Sequence, residues 1–114
     1  MTVQDFLDIT MTLSPSTLDP SLKLRWLSEV EGRVKVELLG ESAEALQPID
    51  ESTPRGEELV VPHPYDRLYW MYYVTMYNYP VGDSARYENA ALLFNEAYNG
   101  YGRYLKRRGN EREV

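Results

Sequence analysis

The sequence predicts an all-α fold, a small bundle of about four helices with a long acidic loop between the second and third. Three observations predict it. Apolar residues recur at the three-and-four spacing of a helix face in successive stretches. The stretches are bounded by residues suited to helix ends, such as Asp19-Pro20 and Gly40. Residues 41–62 contain Pro48, Pro54, Gly56 and Pro62, which break any long element. A chain of 114 residues is enough for one domain, with a radius of gyration of about 13–14 Å.

The first helix is expected over 2–12. Thr2 caps it, with Asp5 three residues on in a capping-box arrangement. Val3, Phe6, Leu7 and Thr10 or Met11 share its face, and Ser14-Pro15-Ser16 ends it. The second helix is expected over 19–39. Asp19 serves as N-cap, and Pro20 fits the first helical position, where a missing N–H costs nothing. Leu22, Trp26, Leu27, Val30, Val34 and Leu38 follow the helical period, and Glu29 and Arg33 stand at i,i+4. Gly32 is a weak point, costing ~1 kcal/mol relative to Ala. Gly40 is placed as a left-handed C-terminal cap.

Residues 41–62 follow as the least structured part. Glu41, Glu44, Asp50, Glu51, Glu57 and Glu58 make it acidic, and Leu59-Val60-Val61 reads as a short extended segment that docks or pairs. Loops of this length inside a domain tend to be functional or mobile. The third helix is expected over 64–79, with Pro64 in its first turn and Asp66 complementing its positive end. Tyr65, Leu68, Tyr69, Tyr72, Tyr73, Met76 and Tyr79 form one broad face, and Trp70, Met71 and Val74 add apolar surface elsewhere. Pro80-Val81-Gly82 is a turn. The fourth helix, 83–108, is capped by Asp83 or Ser84. It carries a coiled-coil-like seam of Tyr87, Ala91, Phe94, Tyr98, Tyr101 and Leu105. Gly109 closes it, and 110–114 fray. The last two helices should pack as an antiparallel hairpin.

Composition excludes several function classes. There is no Cys and one His, so thiol chemistry, a disulfide framework, Cys-type zinc and any site needing two imidazoles from one chain are out. The chain holds 18 acids against 12 bases, a net charge of −6. The surplus acid lies in residues 1–62, whereas the remainder, with the basic run Arg103, Lys106, Arg107, Arg108 and Arg112, is close to neutral. Those bases suit a helix C-terminus better than specific DNA binding. The opening residues carry acids where a signal peptide needs a basic region, and no stretch approaches a membrane span. A soluble protein made in the cytoplasm is expected.

Candidate chemistry is sparse. His63 and Asp66 in His-Pro-Tyr-Asp could form an acid–base or metal pair, but they read far better as the start of a helix, with one as cap, since a metal needs three or four ligands and none cluster here. Glu57-Glu58 could serve hydrolysis, yet sits in the acidic loop. Gly100 and Gly102 lie inside a helix and follow no strand, so they make no phosphate loop. No catalytic residue, metal or cofactor is expected. The unusual feature is the tyrosines, all ten of which lie between Tyr65 and Tyr104. Tyrosine favours interfaces and half-wet cores. One reading sets a flank of the hairpin against partner subunits, and the other makes an internal core with hydroxyls at its rim. Both hold together if the seam faces inward and Trp70, Tyr72 and Tyr104 face a partner. Leu59, Val60 and Val61 are further interface candidates.

Pro62-His63-Pro64-Tyr65-Asp66, then Tyr69, then Arg86-Tyr87-Glu88-Asn89 and Phe94-Asn95-Glu96-Ala97-Tyr98, resembles small proteins of the structural-gene clusters of tailed phages and prophages. The combination covers about half the chain. The resemblance implies a non-enzymatic head–tail connector (adaptor or head-completion) protein, helical and assembling as a ring on the portal. It implies portal, connector and tail-completion proteins as partners and the virion as location. Phage DNA would pass through without sequence-specific binding. The alternative from a different class is a small intracellular protein-binding or regulatory module.

Overall fold

The computed structural model describes residues 1–13, 18–80 and 82–113, the last four of these as backbone only. The chain forms four α-helices, α1 (Val3–Leu13), α2 (Pro20–Glu37), α3 (Arg67–Asn78) and α4 (Ser84–Glu113), with a 3-10 turn at Ala43–Ala45. Among the described residues there is no strand, only one isolated antiparallel bridge between Thr2 and Glu58. The all-helical expectation is met.

Local chemistry sets the helix ends. At α1 the capping box is reciprocal: the Thr2 N–H donates to the Asp5 carboxylate at 2.9 Å, and the Asp5 N–H donates to Thr2 Oγ1 at 3.1 Å. The expected terminator Ser14-Pro15-Ser16 lies outside the described residues. At α2 the Asp19 carboxylate accepts from the Ser21 N–H at 2.9 Å, with Pro20 opening the helix. Gly40, at φ 74°, turns the chain out of α2, and the Glu41 N–H closes onto the Lys35 carbonyl at 2.9 Å. At α4 it is Asp83 that caps, accepting from the Arg86 N–H at 3.1 Å.

Three local expectations are corrected. Residues 62–66 form turns, with the Tyr65 N–H bonded to the Pro62 carbonyl, so α3 starts at Arg67 and not at Pro64. Asp66 still stands at the N-cap position, at the positive end of the helix, without a side-chain capping bond. Gly109 does not close α4, which runs on to Glu113. Glu29 does not pair with Arg33. It pairs with Arg25 at 3.8 Å, while Arg33 pairs with Glu37 at 2.8 Å.

The core lies where α2, α3 and α4 meet, with α1 covering one side through Val3 and Phe6. From α2 it takes Leu24, Leu27, Val30 and Val34; from α3, Leu68, Tyr69 and Tyr73; from α4, Phe94, Ala97, Tyr98 and Tyr101. α3 and α4 make the closest helix pair, as expected of a short-turn hairpin. The α4 seam is displaced from the expected line. Phe94, Tyr98 and Tyr101 are buried and Tyr87, Ala91 and Leu105 half-buried, while Ala90 and Ala97 join the buried stripe. A straight helix of 3.6 residues per turn drifts off a heptad line in this way. Gly32 has a packing reason: a Cβ there would meet Leu46 Cδ1 at 3.3 Å, so the glycine lets the following loop press onto α2.

The acidic segment is tied down along its length. The Ile49 N–H donates to Ser28 Oγ at 3.0 Å, and the Ile49 side chain is buried. The carbonyls of Arg55 and Glu57 accept the Gln4 and Val3 N–H groups at 2.9 and 3.0 Å, and the Leu59 N–H donates to the Met1 carbonyl at 2.9 Å. The segment thus provides partners for donors at the start of α1 that no helix can satisfy internally.

Candidate functional site

Two arrangements stand out: an aromatic surface on the hairpin, and a buried polar knot beneath the end of the acidic segment.

The aromatic surface grows from the composition of α3. Its Tyr69 and Tyr73 point fully inward, so Trp70, Met71, Val74 and Tyr77 fall on the flank between α3 and α4 and stay half-buried. With Leu13 at the end of α1 and Leu93 on α4 they line an open apolar groove of about 590 Å³. Arg86 and Asn89 lie at its edge. Leu92, beside Leu93, is 58 % exposed, and Met11, near the end of α1, is 57 % exposed. An apolar groove of this kind is the pattern of a surface that meets another molecule.

The expected interface residues divide. Trp70 lines the groove. Tyr72 packs against Phe94 within the hairpin, at 5.3 Å between centroids, and its hydroxyl donates to Glu29 at 3.0 Å. Burial and the Glu29 carboxylate push that hydroxyl up to about 12. Tyr104 stacks on Tyr65 at 4.9 Å, and Tyr65 tilts against Tyr101 at 5.5 Å. Leu59 and Val61 are core residues, 6 % and 0 % exposed, and Val60 is half-buried. For Leu59 and Val61 the structure corrects the expectation: the docking they perform is onto this chain's own helices. Arg33 covers the other flank of α4, its guanidinium carbon 4.6 Å from the Tyr98 ring centre.

The knot centres on Glu31, a carboxylate only 5 % exposed. Its Oε1 accepts from the Tyr69 hydroxyl at 2.6 Å and its Oε2 from the Val60 N–H at 2.9 Å. The Tyr69 oxygen in turn accepts from the Val61 N–H at 2.9 Å. Burial pushes the Glu31 carboxyl above its ordinary value, against the hydrogen bonds from Tyr69 and Val60 that favour its charge. Lys35 on α2 also opposes the rise, and Glu57 on the acidic segment adds to it. Burial and the facing carboxylate push the Tyr69 hydroxyl far up, so it stays protonated as the donor. Sequence reasoning missed this knot. Its trace was present: Leu24, Leu27, Glu31 and Val34 are spaced 3,4,3, which places one acid on an apolar stripe.

His63 Nδ1 lies 3.6 Å from Asp66 Oδ1, but the imidazole is almost fully in solvent while Asp66 is buried. Among the described residues no group of three or more His, Asp or Glu side chains could hold a metal ion. Glu57 and Glu58 are exposed. No described helix is long and apolar enough to cross a membrane. Compared with known proteins, the chain matches no family model, no curated protein and no solved structure.

Proposed function

We propose that the chain is a non-enzymatic structural subunit of a tailed-phage virion, a head–tail connector that assembles as a ring on the portal and lines part of the DNA channel. The observation that carries this reading is the run from Pro62 to Tyr98, which joins Pro-Tyr-Asp, an aromatic helix, Arg-Tyr-Glu-Asn and Phe-Asn-Glu-Ala-Tyr in one order. These motifs occupy one contiguous piece of the fold: the turn before α3, α3 itself and the first half of α4. The groove beside Trp70 and the exposed Leu92 supply apolar surface for a neighbour. A closed ring needs two different complementary faces on each subunit, and this molecule is two-sided, with an acidic segment on one part and the aromatic hairpin on another. A net charge of −6 suits a wall past which DNA slides, because phosphate affinity comes from surplus Lys and Arg. The partners are then the portal and other connector or tail-completion proteins, and the site of action is the virion, after synthesis in the bacterial cytoplasm.

The test is co-sedimentation of the purified chain with purified portal rings. Association that saturates at a fixed ratio to portal subunits is expected. No association at any concentration contradicts the proposal, whereas a monomeric state of the isolated chain is compatible with it.

A further inference from the structure

Residues 49–61 cross the body of the molecule outside any helix, and between Ile49 and Leu59 only Thr53 and Arg55 are half-buried, the rest being exposed. The segment is held at its two ends. At the first, the Ile49 N–H reaches Ser28 Oγ on α2 at 3.0 Å. At the second, Val60 and Val61 donate to Glu31 on α2 and Tyr69 on α3, each at 2.9 Å. In the middle its bonds run to the start of α1, through the Val3, Gln4 and Met1 backbone. Its fit onto the body is imperfect. Arg55 Nη1 is buried without a hydrogen-bond partner, and the anchoring Glu31 is a buried carboxylate with Glu57 close enough to oppose its charge. Segments with few buried side chains open locally at free energies well below that of global unfolding.

We propose that residues 49–61 are a releasable strap, latched by the Glu31–Tyr69 pair at one end and Ser28 at the other. It lifts off α2 and α3 as one piece while α2, α3 and α4 stay folded. Release frees the Leu59 and Val61 side chains from the core, uncovers the Glu31–Tyr69 pair and leaves the first turn of α1 without its backbone acceptors. This inference stands independently of the connector reading.

Native-state hydrogen exchange on the full chain tests it. The amides that depend on the strap are Val3, Gln4, Ile49, Leu59, Val60 and Val61. They should exchange through one shared opening, faster than amides inside α3 and α4. Tyr69→Phe leaves the Val61 N–H without its acceptor and should accelerate this group by about tenfold or more, Ile49 at the far anchor included. Ser28→Ala touches only the far anchor and does not enter the core. It should nonetheless accelerate Val60 and Val61 along with Ile49. Exchange of the strap amides only at the rate of the slowest core amides overturns the proposal. So does acceleration confined to Ile49 in Ser28→Ala, or confined to Val60 and Val61 in Tyr69→Phe.

Discussion

Tyr69 and Tyr73 sit one turn apart on α3 and both are fully buried, yet their hydroxyls differ. Tyr69 donates to Glu31 and accepts from Val61, whereas Tyr73 has a buried hydroxyl with no partner, its ring edge-on to Phe6 and beneath Lys23. Removing a satisfied buried hydroxyl strands its partners, but removing an unsatisfied one relieves a desolvation cost. Tyr69→Phe should therefore lower stability by about 1–3 kcal/mol, and Tyr73→Phe should leave it unchanged or raise it by up to about 1 kcal/mol, measured by denaturant unfolding. Glu31 adds a pH signature. Its carboxyl is raised in the folded state by burial, so folding favours its protonated form. That contribution is complete below the ordinary glutamate value of about 4.3 and is lost as pH climbs through the folded value. The groups facing it are Lys35 on α2, Glu57 on the strap, Tyr69 on α3 and Tyr101 on α4. Glu31→Gln cannot titrate, so its stability relative to the natural chain should improve steadily from acid to neutral pH. A difference that stays constant, or falls, would assign the titration to another group.

At the level of elements, the start of α1 and both ends of α2 were the most legible parts of the sequence. Thr2 with Asp5, Asp19 with Pro20, and Gly40 act through bonds that span a few residues, so their chemistry is written locally. Gly40 gives the sharpest check. Its φ of 74° is one that L side chains adopt only under strain. Gly40→Ala should cost about 1–2 kcal/mol, read as a fall in the unfolding midpoint at unchanged slope. The strap was the least legible element. Its donors at Val60 and Val61 are bonded to side chains 29 and 8 residues away, and such bonds leave no periodic mark in the segment that makes them. A run of prolines, glycine and acids reads as a free loop by itself, and only the position of Glu31 on an apolar stripe hints at what it meets. Pro64 misled for a related reason: the preference for proline in a first turn also suits the turns that precede α3.

The whole molecule measures 50 × 34 × 24 Å, with a radius of gyration of 14.7 Å, slightly above the expectation for its length. α4 accounts for that elongation: its 30 residues span roughly 45 Å at 1.5 Å per residue, against 12 residues in α3. The tyrosines divide between the interior and the surface. Tyr69, Tyr73, Tyr98 and Tyr101 build the interior, while Tyr77 and the neighbouring Trp70 line an open groove. Tyr72 and Tyr104, read from the sequence as partner-facing, are taken up by Phe94 and Glu29 and by Tyr65 within the same chain. Helical spacing tells which residues lie off a seam but not whether a third element covers them. The portal-bound subunit proposed above follows from the motif order in the hairpin and from this remaining apolar flank. The most direct measurement is electron microscopy of portal rings mixed with the purified chain. The account predicts an added layer of density, one subunit per portal subunit, seated on the ring and open at its centre. Portal rings left bare at saturating concentrations of the chain would contradict it.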